Sequence, residues 1–280
     1  MRLAHLAGRL VLITPEETAI DVETASAGRF GPDPMSAFAD WDVFREWAAT
    51  VRVAGAAFDR AELGPPVPRP PQIFAIGVNY REHADEAGYP PDSLPVTFTK
   101  FASSLTGPEA TVTLPEGNVD WEVELVVAIG AGGHGIRRED AWSHIAGFTI
   151  GQDLSERVAQ MAGQRPQFSL AKSHPGFSPT GPWLVTPDAL DDPADLAISC
   201  ALKGETLQRS RTSRMIYDIP ELIARLSAVV TLLPGDLIFT GTPSGVGNAR
   251  TPKRFLQPGE VLTSTIEGVG ELTTRFAAAN

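Results

Sequence analysis

The feature that most constrains this chain is its punctuation. Short apolar runs recur along most of its length, and glycine and proline separate them rather than regular amphipathic helices. RLVLIT, IFAIGV, VTFTKF, LVVAIG and AGFTIGQDL each read as a strand. PGDLIFTGTPSG and PGEVLTSTIEGVGELTTRF read as turn then strand, the last closing in a hairpin. Only IPELIARLSAVVTLL reads as a strong helix, with Pro220 suited to its first turn. A doubly wound sheet needs a helix between successive strands. The pattern therefore predicts an α+β, β-rich chain built as a mixed β-roll or barrel.

With 280 residues, 42% of them apolar, the chain can bury a large core. Residues 1–63 read as a small N-terminal α/β module. In it Trp41, Phe44, Trp47, Ala48 and Val51 recur at helical spacing behind a cap at Asp40. Gly64–Gln72, GPPVPRPPQ, is too rich in proline for helix or inner strand and reads as a linker. Residues 73–280 form the larger domain. Acids outnumber bases 34 to 23, a net of −11, which argues against a nucleic-acid partner. Cys200 stands alone in an apolar stretch and reads as a core thiol. The N-terminus shows no cleavage-site pattern, and no uncharged run approaches membrane-spanning length. The expectation is a cytoplasmic protein acting on small molecules.

One strand is unusual. In VDWEVELVVAIG, Asp120, Glu122 and Glu124 fall at every second position, so they share a face while Trp121, Val123 and Leu125 fill the other. Unpaired acids on a strand entering a core cost several kcal/mol each, at roughly the level of a buried lone charge. A divalent cation would compensate Glu122 and Glu124, and Asp153, immediately after an apolar strand in AGFTIGQDL, offers a third carboxylate. An all-oxygen set without histidine or cysteine suits Mg²⁺, Mn²⁺ or Ca²⁺ rather than Zn²⁺. A row of acids at a strand end is also what a solvated face looks like, and spacing alone does not choose.

A second candidate is His83 with Glu86. Three residues apart on a helix, the carboxylate can orient the imidazole, the layout of a general base with its acid, or the two can be an exposed surface pair. His5, His134, His144 and His174 have no such partner at helical spacing. The surrounding NYREHADEAG reads as a short helix that Asn79 can cap and Gly88 can end. Polar and followed by two prolines, it is expected to act as a loosely anchored lid. GAGGHG, Gly130–Gly135, matches the letters of a dinucleotide fingerprint, but no helix opens at its third glycine, so it reads as a hairpin turn. FTGTPSGVG, Phe239–Gly247, can present backbone N–H groups to a carboxylate or oxyanion, and no G-x-S-x-G elbow occurs.

These pieces occur in a telling order. IGVNYREHADEAG, FTKFASSLTGP, DWEVELVVAIG, AGFTIGQDLSER, LAKSHPGFSPTGPWLV, RTSRMIYDIPELI, LLPGDLIFTGTPSGVG and LQPGEVLTSTIEGVGEL together resemble the fumarylacetoacetate hydrolase family over about residues 73–276. The resemblance implies a β-roll catalytic domain, a homodimer, and Mg²⁺ or Mn²⁺, with Ca²⁺ able to substitute, held by Glu122, Glu124 and Asp153. It implies catalytic roles for His83, Glu86 and Lys172, and substrate contacts from Lys100, Arg157, Gln160 and Thr242. Asp120 becomes a neighbour of the site. The chain departs from the family pattern at Gln152, where asparagine is frequent, and at His174, Pro175 and Gly176 beside the lysine. The implied activity is metal-dependent hydrolysis of a carbon–carbon bond in an acylpyruvate or related β-diketo acid. Isomerisation or hydration of an unsaturated 2-oxo acid, or decarboxylation of an oxaloacetate-type acid, would use the same site.

Overall fold

Val123–Ile129 lies inside the larger of two main sheets and explains its own composition. Its odd-numbered residues, Val123 to Ile129, join one core cluster, while Val126 and Ala128 join another. Buried on both faces, the strand must be apolar throughout, apart from Glu124. It pairs antiparallel with Ile145–Gln152 on one side, Val126 opposite Thr149, and with Leu237–Phe239 on the other, Val126 opposite Phe239. Gly151 is needed there. A Cβ on it would sit 2.5 Å from Val126 Cγ2 and 2.6 Å from the Phe239 ring.

The computed structural model describes residues 1–90, 92 and 94–279. Asn280, at the end of the expected larger domain, and Pro91, in the expected lid, lie outside the described residues. Across the large sheet the strands run Ala19–Asp21, Arg9–Ile13, Arg2–Leu6, Ser178–Val185, Ile145–Gln152, Val123–Ile129, Leu237–Phe239, Ile73–Gly77 and Val96–Thr99. The path has two open ends, so the sheet does not close into a barrel. A second sheet orders Glu205–Arg211, Ala197–Leu202, Val261–Ile266, Gly270–Ala278 and Thr111–Leu114. Its inward residues, such as Ile198, Cys200, Leu262 and Phe276, share one core with Leu125, Val127, Phe148 and Ile150. The result is the strand-rich α+β architecture expected from the punctuation.

Residues 1–63 share this framework. Arg2–Leu6 pairs with Ser178–Val185, Leu3 opposite Leu184, and helix Trp41–Ala48, capped by Asp40, packs Trp41 and Phe44 into the core that contains Val126 and Leu184. Gly64–Gln72 is not a free spacer. Leu63–Gly64 pairs with Arg2–Leu6, and Val67 is buried. The last strong helix is Ile219–Ser227, begun by Asp218 accepting from the Glu221 N–H at 2.9 Å, and shorter than its apolar run. Gly130–Gly135 lies between two antiparallel strands and opens no α-helix. Among the described residues, no helix is long and apolar enough to cross a membrane.

Candidate metal centre and active site

The antiparallel register sets the acids together. Val123 stands opposite Gln152, so the residues just outside that pair, Glu122 and Asp153, become neighbours, and the Asp153 N–H donates to the Glu122 carbonyl at 2.9 Å. Glu124 lies one strand pair further in, on the same face as Glu122. Glu122, Glu124 and Asp153 are buried and each brings an oxygen within 4.8 Å of the others. The chain breaks its strand for this purpose: Val119–Asp120 pairs separately with Ser155–Glu156.

Two buried lysines and a half-buried arginine answer four buried acids. Lys172 Nζ donates to Glu122 Oε2 at 2.8 Å, Asp153 Oδ2 at 2.7 Å and Ser155 Oγ at 2.7 Å. Arg157 bridges Asp120 at 2.7 Å and Glu122 at 2.5 Å, and donates to Gln160 Oε1 at 2.8 Å. Lys100 donates to Asp153 Oδ1 at 2.5 Å and to the carbonyl of Lys172. Burial alone would raise the Glu122 carboxyl, but Lys172 and Arg157 pull it down to about 2. Glu124 goes the other way, pushed well above its ordinary value by burial and by Asp153 and Glu122. Burial lowers Lys100 despite Asp153, whereas Asp153 and Glu122 overcome burial to raise Lys172. Glu124 is the acid left over. It accepts from the Gly241 N–H at 2.8 Å and has no direct cation partner among the described residues. A divalent ion held by the three carboxylates would supply it, and their hard oxygens fit Mg²⁺ or Mn²⁺.

His83 and Glu86 open into the same cavity, of about 260 Å³, as Glu122, Arg157, Gln160, Lys172 and Thr242. His83 Nδ1 lies 2.8 Å from Glu86 Oε1. Glu86 in turn accepts from the Gly245 N–H at 3.0 and 2.9 Å, one bond to each oxygen. Gly245 must be glycine, because its φ is +105° and a Cβ would meet the Leu207 carbonyl at 2.2 Å. The glycine-rich loop therefore does present N–H groups to carboxylates, and they are the protein's own: Gly241 to Glu124 and Gly245 to Glu86.

Helix Arg81–Glu86 is better anchored than its polarity suggested. Tyr80 and Ala84 are buried, and Glu82 accepts from Ser210 Oγ at 2.5 Å and from Arg214 at 3.2 Å. Asn79 does not cap it. Its amide donates to the Tyr217 and Thr240 carbonyls, tying the strand end to two distant segments, while Gly88, at φ +74°, does follow the helix end. Lys100 also departs from expectation: fully buried behind Asp153, it does not line the cavity. Thr242 lines it, but its hydroxyl donates to the Val123 carbonyl at 2.9 Å and accepts from Gln208 at 2.8 Å. Sequence reading passed over Ser155 and Gln208, which carry no pattern. It singled out the loop of Gly245 but not its partner Glu86, 159 residues away.

The family model of the fumarylacetoacetate (FAA) hydrolase C-terminal region matches residues 72–277. The chain belongs to the fumarylacetoacetate hydrolase family. Among the relatives of this family member is the bovine protein named oxaloacetate tautomerase FAHD2A, mitochondrial. It is 43% identical over 212 residues, covering 75% of this chain and 68% of that one. The name overturns the cytoplasmic expectation, which rested on a missing leader pattern and a missing membrane-length run. A crystal structure from Mycobacterium smegmatis, described as a candidate HpcE protein, is 55% identical with a TM-score of 0.95, covering all of both chains. Maleylpyruvate hydrolase from Sphingobium, solved with manganese(II) and pyruvate, is 30% identical with a TM-score of 0.81, again over all of both chains. This family member is thus similar to hydrolases and to a tautomerase of oxo acids, and shares its fold with a manganese protein.

Proposed function

We propose that the chain is a divalent-metal-dependent hydrolase that cleaves a carbon–carbon bond in an acylpyruvate or related β-diketo acid. The observation that carries this reading is the chain of contacts from Gly245 through Glu86 to His83, which puts an oriented base in the cavity of the three carboxylates. A Mg²⁺ or Mn²⁺ held by Glu122, Glu124 and Asp153 would polarise the substrate carbonyl. Arg157, Gln160 and Lys172 then bind the substrate's oxygens. With its Nδ1–H donated to Glu86, His83 keeps Nε2 free to take a proton from the attacking water. The ammonium of Lys172, held protonated by Asp153 and Glu122, stabilises negative charge developing on the acyl oxygen. Lys100 acts behind the site by fixing Asp153.

The second reading is keto–enol tautomerisation of oxaloacetate, favoured by the identity to the bovine tautomerase. There the same His83 would move a carbon-bound proton, and no water would add. Assaying both reactions with Mg²⁺ and with Mn²⁺ tests the choice. Acylpyruvate hydrolysis that is lost in His83→Ala supports the first reading. Tautomerisation without hydrolysis of any acylpyruvate would replace it with the second.

A further inference from the structure

We infer that the part of the substrate reaching beyond the carboxylate cluster is an uncharged, apolar acyl arm, and that the chain discriminates against oxo acids carrying a second, distant carboxylate. This rests on the oxo-acid reading above and narrows it. The cavity's polar lining is a bonded cluster of Glu122, Arg157, Gln160 and Lys172 together with the His83–Glu86 pair and Thr242, and this is its polar wall. Apart from His83, its only cationic lining residues among those described are Arg157 and Lys172. Both already hold buried acids, Asp120 and Glu122 for one, Glu122 and Asp153 for the other. Much of the remaining wall is Val78, Tyr89, Met161, Phe168, Val246 and Ala249. Phe168 is set by stacking on Phe98, and Met161 stands 60% exposed, an apolar group without cover.

A substrate's first carboxylate and its oxo group belong against the polar wall. A chain of three or more further carbons must leave that wall and lie along the apolar one, gaining contact there. A carboxylate at its end would lose water without finding a buried cation. The remaining polar lining residue is Asn248, whose Oδ1 accepts from Lys253 at 2.9 Å. That lysine is exposed, and an ion pair with it in water would contribute little. The carboxylate of Glu86 in the lining and the net charge of −11 add repulsion. A four-carbon diacid such as oxaloacetate is not excluded, because both its carboxylates stay within reach of the polar wall.

The test is binding to manganese-loaded protein by calorimetry, with oxalate as the reference for the oxo-acid head. We expect 2-oxohexanoate to bind at least about tenfold more tightly than 2-oxohexanedioate, the order expected for an unpaired carboxylate forced against apolar surface. Met161→Lys, a change at the exposed mouth, should narrow that gap by favouring the diacid. Equal or tighter binding of the diacid by the unaltered chain would overturn the inference. So would a diacid whose binding depends on Lys253, read out with Lys253→Ala. If oxalate itself fails to bind, the inference and the oxo-acid reading fall together. If oxalate and 2-oxohexanoate bind as expected but no acylpyruvate is cleaved, the hydrolase reading falls and the apolar arm stands.

Discussion

Glu124 is the residue whose environment most demands a partner. In metal-free protein its carboxyl is held well above the ordinary 4.5 by burial and by Asp153 and Glu122. An acid raised on folding supports the folded state fully below its ordinary value, and that support is lost as pH rises through the raised one. Metal-free protein should therefore lose thermal stability relative to Glu124→Gln as pH climbs above 4.5. Adding Mn²⁺ should abolish the loss. Parallel melting curves for the two proteins across that range would count against an uncompensated acid. His83 gives a second prediction: His83→Ala should lower kcat by roughly 10²–10⁴ while Mn²⁺ affinity is retained, since the three carboxylates are untouched. Loss of Mn²⁺ binding in that variant would mean His83 organises the centre instead of acting on substrate. Glu122 and Glu124 were readable because alternation in a strand needs no knowledge of topology, and Asp153 because it directly follows an apolar strand. Arg157 and Lys100 as their counter-ions were not, because each pairing depends on how separate segments are registered.

At the scale of elements, the glycine-rich loop and the His83 helix behave as one unit. Gly245→Ala must move the loop away from Leu207, releasing the N–H that holds Glu86. A side chain forced to φ +105° costs of order 1–3 kcal/mol. The variant should melt earlier, and hydrogen exchange should rise selectively over residues 81–88. Unchanged exchange there would show that the helix is held by Tyr80 and the Glu82 contacts alone. Strands and both longer helices were visible in the sequence because their apolar spacing is local. The cap was not. Asn79 has the right chemistry to start a helix, and tertiary partners at Tyr217 and Thr240 claim its amide first. In the same way Gly64–Gln72 has a linker's composition, and a buried Val67 makes it part of the core.

For the whole molecule, helices Arg157–Gln160 and Phe168–Ala171 touch each other beside the cavity and leave Val158 at 54% and Leu170 at 73% exposed. We expect a homodimer that covers this apolar surface. Light scattering should give twice the 29.9 kDa chain mass, and Leu170→Glu should reduce it towards one chain. A monomer at all concentrations would end that expectation. The connectivity of the sheets has a further consequence, for how the protein is made. Ile73–Gly77 pairs in parallel with Leu237–Phe239, Thr111–Leu114 with Gly270–Ala278, and Arg2–Leu6 waits for Ser178–Val185. A chain emerging from its amino end can form the hairpin of the acid-bearing strand early, yet that strand's other neighbour arrives only with residue 237. Such long loops must close before their contacts repay the lost entropy, so folding should be slow for the protein's size. A cation held by Glu122, Glu124 and Asp153 would then act as a late lock: the three acids are drawn together by a local pairing, but Gly241, which fixes Glu124, follows more than a hundred residues later.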